Sequence, residues 1–247
     1  MTNDVLLFIV IGFAAQIVDG AIGMAYGITA STILLSMGVP PATASASVHA
    51  AEVFTTAASG TAHWRMGNVD RKLVARLAVP GMIGGGIGAY ILATVPGDRI
   101  RPVVSAYLLV MGIVILWRAI WKTPIEQKPP KQVGALGMFG GFLDAIGGGG
   151  WGAMVTTTLI GRGATPRMAI GSANVAEFFV TATITATFVA TVGLSLWPVI
   201  MGLVIGGIIA APFAAYATRH LPDQPVMILV GVVVILLSLR TLSKALW

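Results

Sequence analysis

The stretch FLDAIGGGGWGAM, residues 142–154, places an acid, Asp144, just before four consecutive glycines inside a long apolar run. Each glycine weakens a helix by about 0.5–1 kcal/mol relative to alanine. A carboxylate at a helix centre in a bilayer costs roughly 2.5–3.5 kcal/mol on insertion scales. Non-helical backbone at membrane depth is tolerated only where it is buried in protein or lines a cavity. The stretch therefore reads as a membrane helix interrupted at a site.

The rest of the chain supports a membrane setting. Of 247 residues, 56% are hydrophobic and only 10% charged, and mean hydropathy is +0.90. Soluble domains carry about 25% charged residues. Apolar runs of helix-spanning length recur throughout, the mark of a polytopic, all-α integral membrane protein. With no cysteine, disulfides, thiolate metal sites and thiol catalysis are excluded. The opening MTNDVLLFIV lacks a basic leader and runs on apolar, so it reads as a first membrane segment and not a signal peptide. The net charge of +6 needs no nucleic-acid partner, because loop Lys and Arg orient a protein in the bilayer.

Sliding the chain by 125 residues brings the interrupted stretch onto an earlier one. DGAIGMAYG (19–27) falls on DAIGGGGWG (144–152), and GVPPATASASVHAAEVFTT (38–56) on GATPRMAIGSANVAEFFVT (163–181). Without a gap, 13 of 38 positions are identical, including Asp19/Asp144, Gly27/Gly152, Pro41/Pro166, Ser47/Ser172 and Glu52/Glu177. This is an internal duplication of the kind secondary transporters carry. The expected organisation is a first repeat (1–121), a cytoplasmic linker (122–132) and a second repeat (133–247), forming one transporter domain. Each repeat holds four apolar segments, eight in all: roughly 5–37, 42–63, 73–95 and 102–121, then 133–161, 167–191, 198–217 and 225–243. Pro80 and Pro212 are tolerable kinks.

The leading segment of each repeat is anomalous. As one helix, 5–37 would be about 50 Å long, against a hydrocarbon core of about 30 Å, and its Gly-rich break lies near its middle. Either it spans while unwound, or it is re-entrant, two half-helices entering and leaving on one face. If all eight segments span, Lys and Arg divide ten to five and both termini are cytoplasmic. If the leading segments are re-entrant, the division is eleven to four, both termini are outside, and the repeats are inverted. Charge leaves the choice open; loops 64–76 and 118–132 are cytoplasmic in both.

Nine acids occur, and four of them, Asp19, Glu52, Asp144 and Glu177, are repeat-related pairs within apolar sequence. Intramembrane acids point to a substrate or ion pathway; the aspartates equally suit helix capping beside the breaks. His49, Glu52, Thr56, Ser59 and His63 recur at helical spacing and form one polar face. Asn174, Glu177 and Thr181 continue that pattern in the second repeat before it turns apolar at Ile184 and Phe188. Such a stripe suits a proton relay or a hydrogen-bonded seam. At the breaks, unwound backbone and half-helix N-termini can cradle a small anion, with Tyr26 and Trp151 as matched aromatic walls or as ordinary packing. Arg65, Arg162 and Arg167 sit at segment ends, where they could attract anions. His49, His63 and His220 show no metal-ligand clustering, no phosphate-loop pattern occurs, and no cofactor is implied. AASGTAH (57–63) loosely suits an intramembrane serine hydrolase at Ser59, a rival reading without the expected flanking glycine.

The segments QIVDGAIGMAYG, SASVHAAEVFTTAASGTAHWRMGNVD and GGGGWGAMVTTTLIGRGATPRMAIGSANVAEFFVT resemble the TauE/SafE family of sulfite and organosulfur anion exporters, also called the toluene-sulfonate uptake permease family. The resemblance covers nearly the whole chain. It implies a two-repeat transporter of small sulfur oxyanions in the cytoplasmic membrane. Signature positions fall on Asp19, Gly23, Gly27, His49, Glu52, Asp144, Gly148, Trp151, Gly152, Asn174 and Glu177.

The expectation is therefore a secondary transporter, not an enzyme, moving sulfite or an organosulfonate with proton or sodium coupling. Substrate binding is assigned to Gly23, Tyr26, Gly27, Gly148, Gly149, Trp151, Gly152 and Asn174. Coupling is assigned to Asp19, His49, Glu52, Asp144 and Glu177. Partners are the anion, the coupling ion and the bilayer, with a homodimer left open. The alternative is a cation-coupled carrier of another small metabolite, in which Asp19 and Asp144 hold the ion.

Overall fold

The computed structural model describes residues 5–22, 25–121, 132–194, 196–220 and 223–246. These residues are helical almost throughout: α1 (Val5–Ile22), α2 (Tyr26–Ser36), α3 (Pro41–Arg65), α4 (Arg71–Thr94), α5 (Gly97–Ile120) and α6 (Val133–Gly147). A π-helical turn (Gly152–Thr156) then leads into α7 (Thr157–Gly161), followed by α8 (Pro166–Thr191), α9 (Trp197–His220) and α10 (Asp223–Leu246). All eight expected segments are present, with limits that differ by a few residues. The leading segment of each repeat is broken as the sequence indicates, into α1 and α2 and into α6 and α7. Among the described residues, four helices are long and apolar enough to cross a bilayer: α4, α5, most of α8 and the body of α10.

Local chemistry sets the helix ends. Pro41 and Pro166 occupy the first turns of α3 and α8, where a missing N–H costs nothing. The Asp70 carboxylate caps α4 by accepting the Lys72 and Leu73 N–H groups at 2.8 and 3.2 Å. The Asp70 N–H donates in turn to Ser172 Oγ at 2.9 Å, tying the α3–α4 turn to α8.

The helices pack in pairs drawn across the repeats. α1 lies against α9 and α4 against α6 along their lengths, and α5 pairs with α10 and α3 with α8. Glycines make the first two joints possible. A Cβ on Gly12 would sit 2.5 Å from the Leu203 carbonyl oxygen, and one on Gly206 2.1 Å from that of Ile9. The same joint recurs 125 residues on: a Cβ on Gly137 would sit 2.5 Å from the Leu77 carbonyl oxygen, and one on Gly141 2.2 Å from that of Gly81. Small residues let backbones approach where lipid offers helices no hydrophobic drive to associate.

The register of these contacts gives each helix its direction. Gly60 meets Val175 and Gly171 meets His63, so α3 and α8 are antiparallel; Gly112 meets Val234 and Gly231 meets Leu116, so α5 and α10 are antiparallel too. Each of these pairs consists of helices that correspond at the offset of 125, so the two halves run in opposite senses. Gly27 faces Glu52, while Ser31 and Ser45 both meet Gly148, so α2 runs back along α3. α1 is parallel to α9, which starts at the end where α8 stops. Both ends of 5–36 therefore lie at one end of the bundle. Residues 133–161 turn back in the same way from the opposite end, the one that carries the 66–70 turn.

Candidate functional site

The two breaks meet in the middle of the bundle. Gly148, Gly149 and Gly150 have φ of +67°, +145° and +145°, values that only glycine adopts without strain. Gly27 approaches them so closely that a Cβ there would lie 2.6 Å from Gly149 Cα and 2.7 Å from Glu52 Oε1. Ala25, which corresponds to Gly150 at the offset of 125, is at φ +96° and is the only described non-glycine residue with positive φ.

Each break is closed by its own acid in the same way. The Tyr26 N–H donates to Asp19 Oδ1 at 3.4 Å, and the Trp151 N–H to Asp144 Oδ1 at 2.9 Å. The aspartates thus accept the amide that begins the second half of each segment, the arrangement of an N-cap. Asp144 Oδ2 also lies 3.2 Å from His49 Nε2, and His49 Nδ1 lies 2.8 Å from the Ser45 carbonyl. Two further bonds clasp this side: Ser45 Oγ donates to the Ala145 carbonyl at 2.6 Å, and Ser31 Oγ to that of Gly148. The corresponding groups across the fold differ. Asn174, the counterpart of His49, donates to Ser59 Oγ at 2.7 Å.

Beside this clasp lies a cavity of about 170 Å³, lined on one wall by Asp19, Tyr26, Gly27 and Glu52 and on the other by Gly150, Gly152, Asn174 and Glu177. Thr55, Thr56, Ser59 and His63 carry its lining along α3 toward the 66–70 turn, about 16 Å at 1.5 Å per residue from Glu52 to His63. Glu52 is 5% exposed; its Oε2 has no hydrogen-bond partner and lies 3.9 Å from His49 Nε2. A buried carboxyl oxygen without a donor is costly unless a proton or cation satisfies it.

Of the expected site residues, the cavity collects Asp19, Tyr26, Gly27, Glu52, Gly152, Asn174 and Glu177. His49, Asp144, Gly148 and Gly149 form the clasp next to it. Trp151 belongs to the core: its ring packs against Gly81 and Gly140, and its indole N–H donates to the Ala173 carbonyl at 3.2 Å. Gly23 lies outside the described residues. Sequence reading did not single out Gln16, Thr55 or Ile170, which also line the cavity; Ile170 is the counterpart of Ser45. Nor did it single out Tyr107, whose hydroxyl donates to the Gly149 carbonyl at 3.2 Å. Tyr107 sits mid-way along an apolar helix where nothing in the local pattern marks it.

Residues 8–241 match the family described as sulfite exporter TauE/SafE. The chain belongs to the sulfite exporter TauE/SafE family. It is also 43% identical, over 249 aligned positions, to the probable membrane transporter protein YtnM of Bacillus subtilis (strain 168), covering 97% of this chain and 83% of that protein. No solved structure matches it. Membership makes the molecule a membrane transporter.

Proposed function

We propose that the protein is a proton-coupled secondary carrier that exports a small sulfur oxyanion, sulfite or an organosulfonate, across the cytoplasmic membrane. The observation that carries this reading is the central cavity itself, placed where two inverted breaks meet and walled by repeat-related acids. Inverted repeats with the site at their interface are the common plan of secondary transporters. At about 170 Å³ the cavity falls below the roughly 300–1,000 Å³ of drug-sized ligand sites, which fits a small substrate. The family and its exporter description favour a sulfur oxyanion, and the relative's name supports transport without naming a cargo.

The lining has the donors such an anion needs. Ser59 accepts from Asn174 and so keeps its O–H to give, and Thr55 lies beside it. Glu52 and Glu177 are acceptors while ionised and donors once protonated. A proton on either therefore both removes a repelling charge and adds a hydrogen bond to the oxyanion, which links anion occupancy to proton occupancy. Asp19 and Asp144 are committed to backbone amides, so coupling is assigned to the glutamates.

The helix directions favour the re-entrant alternative, in which Lys and Arg divide eleven to four. The positive-inside rule then puts the 66–70 end in the cytoplasm and both termini outside. The cavity extends toward that cytoplasmic end, where an exporter loads.

The test is sulfite efflux from proteoliposomes under an imposed pH gradient. Wild type is expected to move sulfite faster with the gradient, and Glu52→Gln with Glu177→Gln to lose that dependence. A folded wild type that moves neither sulfite nor organosulfonates at any pH would overturn the substrate assignment. Labelling of Ser59 by a serine-directed fluorophosphonate would instead favour a hydrolase.

A further inference from the structure

We infer that Asp19 and Asn174 form a second gate, the repeat-related counterpart of the His49–Asp144 clasp, and that access to the site alternates as the two repeats exchange conformations. The inference rests on the carrier reading and adds the residues that close the cytoplasmic side.

Groups that correspond at the offset of 125 differ in their surroundings. His49 is fully buried and Asp144 is 1% exposed; they are bonded to each other and neither lines the cavity. Their counterparts Asn174 and Asp19 are only partly buried, and both line the cavity. Glu52 is buried, while Glu177 is partly exposed. Ser45 is bonded across the closed side to Ala145, while its counterpart Ile170 lines the open cavity. At larger scale α4 packs extensively on α8, whereas α9, the counterpart of α4, touches α3 much less. One half of a duplicated fold is thus closed and the other open.

The two halves run in opposite senses, so their closed ends face opposite sides of the bundle. Exchanging their conformations would open the side now sealed by His49 and Asp144 and seal the side that now holds the cavity. The exchange maps the His49–Asp144 bond onto Asn174–Asp19, and the Ser45–Ala145 contact onto Ile170–Gly20. The chemistry for the second closure is in place: the Asn174 amide, now held by Ser59, is a donor, and the Asp19 carboxylate is an acceptor. Asn in place of His makes the second gate the weaker one, in keeping with a resting state open on that side.

The chain has no native cysteine, which allows a direct test. Two pairs are built in the full-length protein, Ser45→Cys with Ala145→Cys and Gly20→Cys with Ile170→Cys, each with a protease site in the 122–132 linker. After mild oxidation in membranes and proteolysis, both pairs are expected to hold the halves together until reductant is added. Each oxidised pair should also move sulfite many-fold more slowly than the same pair after reduction. If only the Ser45/Ala145 pair closes, in protein whose reduced form still moves sulfite, the second gate is wrong while the carrier reading stands. If both pairs close but wild type moves neither sulfite nor organosulfonates, the gates stand and the substrate reading fails. Should the Gly20 variant not fold, Asn174→His supplies the second measurement. It is expected to slow maleimide labelling of Thr55→Cys from the 66–70 side several-fold, and unchanged or faster labelling would count against the gate.

Discussion

Asp144 ties three features together: it accepts the Trp151 amide that begins the second half of its segment, it meets His49, and it stands just before a glycine run that only an unwound segment explains. Ala25 makes the opposite point at the other break. A left-handed φ of +96° costs an alanine about 1–2 kcal/mol, while glycine adds roughly 0.5–1 kcal/mol of backbone entropy to be lost on folding. The balance favours glycine by about 1 kcal/mol or less, so Ala25→Gly should melt slightly higher than wild type in detergent. A lower melting temperature would mean that Ala25 is not strained. The residue scale was only partly legible beforehand. The acids announced themselves because each costs energy in an apolar segment, and the polar face from His49 to His63 followed from helical spacing. The partner of His49, however, is 95 residues away, and no local period encodes that meeting. Trp151 matched Tyr26 in sequence, yet Gly81 and Gly140 leave room for its ring in the core, a complementarity between three distant positions.

The elements were largely readable, since eight apolar runs bounded by Pro, Gly and charge gave eight segments with nearly the same limits. The faces by which they pack were less so. Many glycines lie along these helices, and only the close approaches identify which ones matter. Gly141 would drive a Cβ to 2.2 Å from the Gly81 carbonyl, a backbone atom that cannot swing aside, whereas Gly86 has nothing nearer than 3.8 Å. Gly141→Ala should therefore cost about 1–3 kcal/mol, as overpacked sites do, and lower the melting temperature markedly. Gly86→Ala should be neutral or slightly stabilising, because alanine is the better helix former. Equal effects at the two positions would contradict the α4–α6 joint as described.

At the scale of the whole molecule, the duplication was visible in thirteen matched positions but its sense was not. The two topologies differ by one basic residue on each side, too little for charge to choose between them. What chooses is the antiparallel register of corresponding helices, set by contacts such as Gly60 with Val175 and Gly112 with Val234. That register turns each leading segment back toward the end where it began and brings both breaks to the centre, and on the carrier reading it leaves two sides to close in turn. The site, the coupling assignment and the second gate all depend on it. Single cysteines at Met66 and at Thr165, each exposed in a turn, labelled with an impermeant maleimide in oriented vesicles, test it most directly. Re-entrant leading segments put both on the cytoplasmic side, so both must label from that side alone; labelling from opposite sides would mean that the leading segments span, and would contradict the inverted fold.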